Sequence, residues 1–195
     1  MKITELMVPG ALRVVPRQHT DARGAFLEWY RPDLLAGVLG HRIPPMVQGN
    51  LSMSARGVVR GIHFAEVPRG QAKYVTCMQG AVLDVVVDLR VGSPAFGRWE
   101  AIELDDVERA AVYLPAGLGH GFCALTETAT VSYLVSNPYA PEREHSVDAF
   151  DPELGIEWPI EEALQSERDR AAPSLAGLLD RGLLPRYEDC LELIR

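Results

Sequence analysis

The chain has 195 residues, of which 47% are hydrophobic and 24% are charged, as is usual for a globular protein with a substantial core. Its formal net charge of -8 argues against a dedicated nucleic-acid-binding protein, which would normally carry a basic excess. An acidic chain can still form a locally basic pocket, so a small phosphate-containing ligand is not excluded.

The sequence gives no sign of export or of membrane insertion. No apolar run approaches the ~20 residues of a membrane-spanning helix, and the N-terminal region lacks an uninterrupted signal-peptide core. Cys77, Cys123 and Cys190 form no CxxC pair, which predicts buried free thiols in a reducing compartment. We therefore expect a cytoplasmic protein without membrane or nucleic-acid partners.

The predicted elements change character along the chain. DLLAGVLG (33–40) predicts one or two helical turns near the N-terminus. From about residue 47 to 136 apolar residues mostly alternate with polar ones, which indicates strands. In chain order the strand candidates are VQGNLSMS, GVVRGIHF, AKYVTCMQ, VLDVVVDLR, WEAIEL, RAAVYL, HGFCAL and ATVSYLVS. After Asp151 two short helices are predicted, in PSLAGLLD, which is followed by Gly182, and in YEDCLELI.

Eight short strands separated by glycine- and proline-containing turns predict an antiparallel sandwich or barrel. No linker, low-complexity tract or repeat divides the chain. We therefore expect one mainly β domain over residues 1–195, with a barrel core at about 45–136 and a helical C-terminal segment at 151–195.

Seven polar side chains interrupt the predicted strands. Taken singly, each arginine or lysine is best explained as an outward-facing residue and each histidine as a hydrogen-bonded core residue. They occur in consecutive strand candidates, however, and the inward positions of neighbouring strands converge on one cavity in a small barrel. A cavity with two imidazoles, two cations and a phenol has the chemistry of an active site. The residues are Gln48, Asn50, Arg60, His63, Lys73, His120 and Tyr133.

Strand alternation conflicts with one pair in this set. Arg60 and His63 are three residues apart and would point to opposite faces of an unbroken strand. Gly61 lies between them, and a glycine inside a strand often marks a bulge. If both side chains serve one cavity, we expect a distortion at Gly61.

Longer motifs carry a family resemblance. PAGLGH (115–120) fits the PxGxxH motif of cupins, and the wider pattern resembles the dTDP-4-dehydrorhamnose 3,5-epimerase family. The resemblance implies an RmlC-like cupin fold, a double-stranded β-helix or jelly-roll barrel with short helices. GLLPRY (182–187) is similar to the branch that makes secondary-metabolite sugars, which implies antibiotic sugar biosynthesis. The matching segments are DARGAFLEWY, QGNLSMS, GVVRGIHF, QAKYV, DVVVDLRVGSPAFGRW, VYLPAGLGHGF, SYLVSNPYAPEREH, DPELGIEWP and SERDRAAPSL.

The resemblance also implies a reaction and four catalytic roles. The family inverts carbons beside the C4 ketone of a dTDP-4-dehydro-6-deoxyhexose, without a redox cofactor. His63 would remove the proton α to the ketone, and Asp169 would orient its ring. Lys73 would stabilise the enolate, and Tyr133 would return a proton on the opposite face. An imidazole suits the base because its ordinary pKa is close to neutral pH.

The substrate-binding positions follow from the same resemblance, as does a homodimer. Arg23, Arg60 and Arg168 would contact the diphosphate or its surroundings, and an arginine fork suits phosphate. Tyr139 would lie near the thymine base of the nucleotide, within its own subunit or across the dimer. The remaining nucleotide- or substrate-contacting positions are Glu28, Gln48, Asn50 and His120.

Three alternatives stay open. The enzyme could invert C3, C5 or both carbons, and these residues do not distinguish the outcomes. A metal-dependent cupin would need an HxH pair, whereas GIHFAE offers only His63 and Glu66, so no metal is expected. A non-catalytic cupin that binds a sugar nucleotide would need the arginines but not His63, Lys73, Tyr133 and Asp169 together.

Overall fold

The computed structural model describes residues 1–194, so the last residue of the predicted C-terminal segment, Arg195, lies outside the described residues. The described chain is mainly β, and every strand pairs antiparallel to its neighbours. The strands are β1 (Lys2–Glu5), β2 (Leu12–Val15), β3 (Gln18–Asp21), β4 (Gly24–Leu27), β5 (Gln48–Ala55), β6 (Val59–Ala65), β7 (Lys73–Gln79), β8 (Ala81–Asp88), β9 (Trp99–Asp105), β10 (Ala111–Leu114), β11 (Leu118–Ala124), β12 (Thr128–Val135) and β13 (Glu144–Ser146).

The helices are short and lie mostly near the C-terminus, as predicted. They are α1 (Pro32–Leu39), α2 (Glu167–Arg170), α3 (Leu175–Asp180) and α4 (Tyr187–Glu192), with a 3-10 turn at Pro141–Arg143. Ser174 caps α3 by accepting a hydrogen bond from the backbone N–H of Gly177. Across residues 1–194, no helix has the length and apolar character needed to cross a membrane.

Two sheets form the body of the protein. The six-stranded sheet has the order β1-β2-β10-β7-β12-β5, and the five-stranded sheet has the order β13-β6-β11-β8-β9. The strands predicted between residues 47 and 136 correspond to β5–β12. Strands β1–β4 and β13 were not predicted, because segments of three or four residues such as QHTD are too short to display an alternation. Strands β3 and β4 form a separate hairpin.

Hydrophobic residues pack on both faces of the five-stranded sheet, and a third cluster joins β2, β7 and β10 to α1. Between the sheets pack Val75, Val86, Val112, Phe122 and Val131, among others. On the outer face, residues of β6, β8 and β11 pack against α3 and the loops of the C-terminal region. Burial on both faces explains why β8 reads as an almost continuous apolar run, VLDVVV. The three cysteines are buried and free, as predicted.

A bulge in β6 resolves the conflict between Arg60 and His63. Opposite β11, His63 pairs with His120 and Arg60 pairs with Phe122, so β6 has one residue more than its partner in this interval. Gly61 adopts φ +114°, and a Cβ atom there would lie 2.6 Å from the Cα atom of Gly121. The extra residue restores the alternation, so Arg60 and His63 face the same cavity.

Candidate active site

A cavity of about 180 Å³ lies between the two sheets at one end of the core. All seven polar residues predicted from the strand pattern line it, together with Tyr139. The volume is below the ~300–1,000 Å³ of typical ligand pockets, so a larger ligand must extend beyond the enclosed space. The full lining is Gln48, Asn50, Ser52, Arg60, His63, Gln71, Lys73, His120, Phe122, Tyr133, Tyr139 and Glu144.

The five-stranded sheet contributes an imidazole that is held by a carboxylate. The distance from His63 Nε2 to Asp169 Oδ1 is 2.7 Å. Asp169 is buried on α2, where its backbone N–H donates to the hydroxyl of Ser166. Burial would raise the pKa of Asp169, but hydrogen bonds from His63, the Gly61 backbone and Ser166 outweigh it and keep the pKa below its usual value. With Nε2–H donating to this carboxylate, Nδ1 of His63 is the nitrogen that can accept a proton.

The six-stranded sheet contributes an ammonium group and a phenol. Lys73 pairs with Val135 and Tyr133 pairs with Val75, so the two side chains are diagonal neighbours on one face. Lys73 is only 9% exposed. Burial lowers the pKa of Lys73, while the carboxylates of Glu144 and Asp84 oppose this shift. Burial, together with the Glu144 carboxylate, raises the pKa of the Tyr133 phenol, which favours its protonated form.

A second imidazole–carboxylate pair lies at the inner end of the cavity. The distance from His120 Nε2 to Asp84 Oδ2 is 2.7 Å, and both residues are buried. His120 is the register partner of His63, so the two imidazoles project from adjacent strands. Each ring therefore has its own carboxylate, which fixes its orientation.

Matches to known proteins agree with this geometry. The family model for dTDP-4-dehydrorhamnose 3,5-epimerase matches residues 5–177. The chain belongs to this family. A dTDP-4-dehydrorhamnose 3,5-epimerase of Mycolicibacterium smegmatis is 52% identical over 191 residues, covering 97% of this chain and 94% of that one.

Two solved structures extend the likeness to the fold. NovW, a 4-keto-6-deoxy sugar epimerase from the novobiocin gene cluster of Streptomyces spheroides, is 55% identical with a TM-score of 0.95, covering 97% of this chain and 95% of its own. ChmJ, a 3'-monoepimerase from Streptomyces bikiniensis in complex with dTDP-quinovose, is 50% identical with a TM-score of 0.91. The match covers 96% of this chain and 94% of the ChmJ chain. The predicted RmlC-like cupin fold is thereby confirmed.

In this member of the epimerase family, three predicted binding residues lie outside the cavity of their own chain. Arg23 lies in the turn of the β3–β4 hairpin, and its side chain is 90% exposed and bonded to Asp21. Glu28 follows the same hairpin and pairs with Arg31. Arg168 lies on α2, where its guanidinium donates to the carbonyl oxygen of Glu144.

Five site residues were missed from the sequence of this epimerase-family chain. For Ser52 and Gln71 a signal was present, because they lie two residues from Asn50 and Lys73 and share their face. Phe122 carried the same signal, because it lies two residues from His120 on β11. Asp84 and Glu144 carried none, since their proximity to the other site residues depends on strand pairing and on the path of the chain into β13.

His63, His120 and His145 each contact one carboxylate. Within residues 1–194, no three His, Cys, Asp or Glu side chains group in a way that could hold a metal ion. Glu66, considered above as a partner for His63 in a metal site, instead contacts His145 Nε2 at 2.8 Å. The cavity brings together an imidazole, an ammonium and a phenol as separate groups.

Proposed function

We propose that the protein is an isomerase that epimerises dTDP-4-dehydro-6-deoxy-D-glucose at C3, C5 or both. One observation carries this proposal: a carboxylate-held imidazole lies on one wall of the cavity, and an ammonium and a phenol lie on the facing wall. The activities of NovW and ChmJ and the dTDP-sugar bound to ChmJ support this class of substrate.

The first step is removal of the proton next to the ketone. His63 takes this proton at Nδ1, the C–H bond breaks, and its electron pair forms the enolate with negative charge on the C4 oxygen. Lys73 stabilises that oxygen, and a preorganised donor at developing charge is worth about 2.7–4 kcal/mol in well-studied oxyanion holes. Asp169 stabilises the imidazolium that forms on His63, as a carboxylate does for other catalytic histidines.

The second step is return of a proton on the opposite face of the ring. Tyr133 gives its hydroxyl proton to the carbon, and the enolate returns to the ketone. Exchange with solvent then restores the phenol of Tyr133 and the neutral ring of His63. Because His63 and Tyr133 belong to facing sheets, this arrangement inverts the carbon between them.

Solvent deuterium tests the proposed reaction. In a proton-NMR time course in D₂O with dTDP-4-dehydro-6-deoxyglucose, deuterium should enter at C3, C5 or both as epimer accumulates. The exchanging position identifies the carbon that is deprotonated, and the configuration of the accumulating product identifies the carbon that is inverted. A protein that binds the nucleotide sugar without exchanging either proton would be a non-catalytic cupin.

Replacing Tyr133 with phenylalanine should uncouple exchange from inversion. Base and cation remain, so deuterium should still enter the sugar, whereas net inversion should slow by about 10²-fold, at least at C5, because the acid is gone. The measurement is the ratio of deuterium incorporation to product formation. Tyr187→Phe is the matched control. Tyr187 lies on α4, away from the cavity, and its ring packs against Arg90. Unchanged product formation in the Tyr133→Phe protein would remove Tyr133 from this role.

We further propose that the enzyme is a homodimer in which the β3–β4 hairpin reaches the partner's cavity. Arg23 and Glu28, the two nucleotide-binding residues predicted near this hairpin, lie away from the cavity of their own chain. Phe26 on the hairpin is 69% exposed, and Met53 on the outer face of edge strand β5 is 70% exposed. Burial of these side chains against a second copy would remove apolar surface from water.

A mixing experiment tests this arrangement. Arg23→Ala and His63→Ala chains should each have reduced activity, and refolding them together should restore turnover in the mixed dimers. Restoration occurs only if Arg23 of one chain serves His63 of the other. Light scattering that gives a monomer, or mixtures without recovered activity, would contradict the proposal.

A further inference from the structure

Strand β5 presents a row of four polar side chains to the interior. Positions 48, 50, 52 and 54 alternate with exposed residues, so all four face inward. Gln48 donates to Asn50 at 2.7 Å, and Ser54 accepts from Arg60 at 3.1 Å. The hydroxyl of Ser52 is buried and has no hydrogen-bond partner within residues 1–194. It is therefore the member of this row whose polar group is left for a ligand.

The environment of Ser52 indicates what that ligand group is. Ser52 lines the same cavity as His63, Lys73 and Tyr133. It pairs with Val131, one inward-facing position along from the Asn50–Tyr133 pair. A hydroxyl carries no charge and can both donate and accept, which suits a neutral alcohol, whereas the arginines suit a phosphate. Because Ser52 lies beside the proposed acid, the group it meets belongs to the reacting ring and not to the nucleotide.

We infer that Ser52 is a specificity residue that hydrogen-bonds a hydroxyl group of the hexose ring, at C2 or C3. This inference rests on the proposed function, since it assumes that the ring occupies the cavity. A buried polar group left unpaired is costly, so a sugar without this hydroxyl would leave Ser52 unsatisfied and bind less well. The site thereby selects hexoses that keep the hydroxyl over their deoxy counterparts.

Binding measurements on Ser52→Ala test the inference. With dTDP-quinovose, which retains the ring hydroxyls and lacks the ketone, the dissociation constant should rise about 10-fold, whereas that for dTDP should not change. The 2-deoxy and 3-deoxy analogues of dTDP-quinovose identify the hydroxyl. The analogue that lacks the hydroxyl contacted by Ser52 should bind the wild-type and Ser52→Ala proteins equally. Ser132→Ala, on the neighbouring strand opposite the outward-facing Leu51, is the matched control.

The Tm of the unliganded protein distinguishes a ligand-binding role of Ser52 from a structural role. Because the Ser52 hydroxyl has no partner among residues 1–194, its removal should leave Tm unchanged or higher, whereas loss of a structural hydrogen bond would lower Tm. Equal weakening of dTDP and dTDP-quinovose would overturn the inference. So would an effect that persists with both deoxy analogues, because the contact would then be to the C4 oxygen. Failure of the wild-type protein to bind dTDP-quinovose would instead count against the proposed function itself.

Discussion

Replacing His63 with alanine should abolish deuterium exchange into the keto sugar, with a loss of about 10³-fold or more, and should leave affinity for dTDP nearly unchanged. His120, the second imidazole that lines the cavity, projects from the adjacent strand, so we do not expect it to replace His63 at the same proton. Exchange followed by NMR and dTDP affinity followed by calorimetry measure the two effects separately.

His41→Ala is a suitable control for this experiment. The His41 ring lies just after α1 and contacts the carbonyl oxygen of Arg42, away from the cavity. If His63→Ala weakened nucleotide binding as much as it slowed exchange, His63 would be a ligand contact and not the base.

Replacing Lys73 with methionine should lower turnover by about 10²–10³-fold and raise the stability of the unliganded protein. Lys73 is buried and desolvation lowers the pKa of its ammonium, so the folded state bears a desolvation cost that an apolar chain of similar length removes. For a chain of this size, each kcal/mol gained raises Tm by about 2–4 °C. Thermal unfolding and steady-state kinetics on the same preparation measure the gain in stability and the loss of turnover.

Lys73 also contributes to the pH dependence of stability and activity in the wild-type protein. Burial lowers the pKa of Lys73 in the folded state, so the unfolded state binds more protons between that value and the ordinary value of 10.5. The contribution of Lys73 to stability therefore becomes more favourable as pH rises through this window, while activity falls as the ammonium is lost. Lys73→Met should remove this component of the stability profile. A Lys73→Met protein that is less stable than wild type at neutral pH would contradict the assignment.

Strand alternation was sufficient to predict the residues whose position depends on their own strand. Gln48, Asn50, Lys73 and Tyr133 all face inward because of period-two geometry, and the same rule would have included Ser52. Asp169 came from the family resemblance alone, since its segment reads as a solvated loop until α2 buries it against β6.

Other features depend on long-range pairing that no local pattern encodes. Asp84 meets His120 because β8 and β11 are neighbours in one sheet, although 36 residues separate them. Arg23 and Glu28 lie away from the cavity of their own chain because they belong to the separate β3–β4 hairpin and the segment that follows it. Neither the order of strands nor the free position of a hairpin could be derived from composition and periodicity.

Because of the bulge between them, Arg60 and His63 of one strand can serve the same cavity, Arg60 for ligand binding and His63 as the proposed base. A β6 strand one residue shorter would keep Arg60 directed at the ligand and turn the imidazole toward the apolar layer beneath α3. Such a chain could retain a nucleotide sugar but not transform it. Loss or gain of a single codon in this strand is thus a short evolutionary route between a sugar receptor and an epimerase.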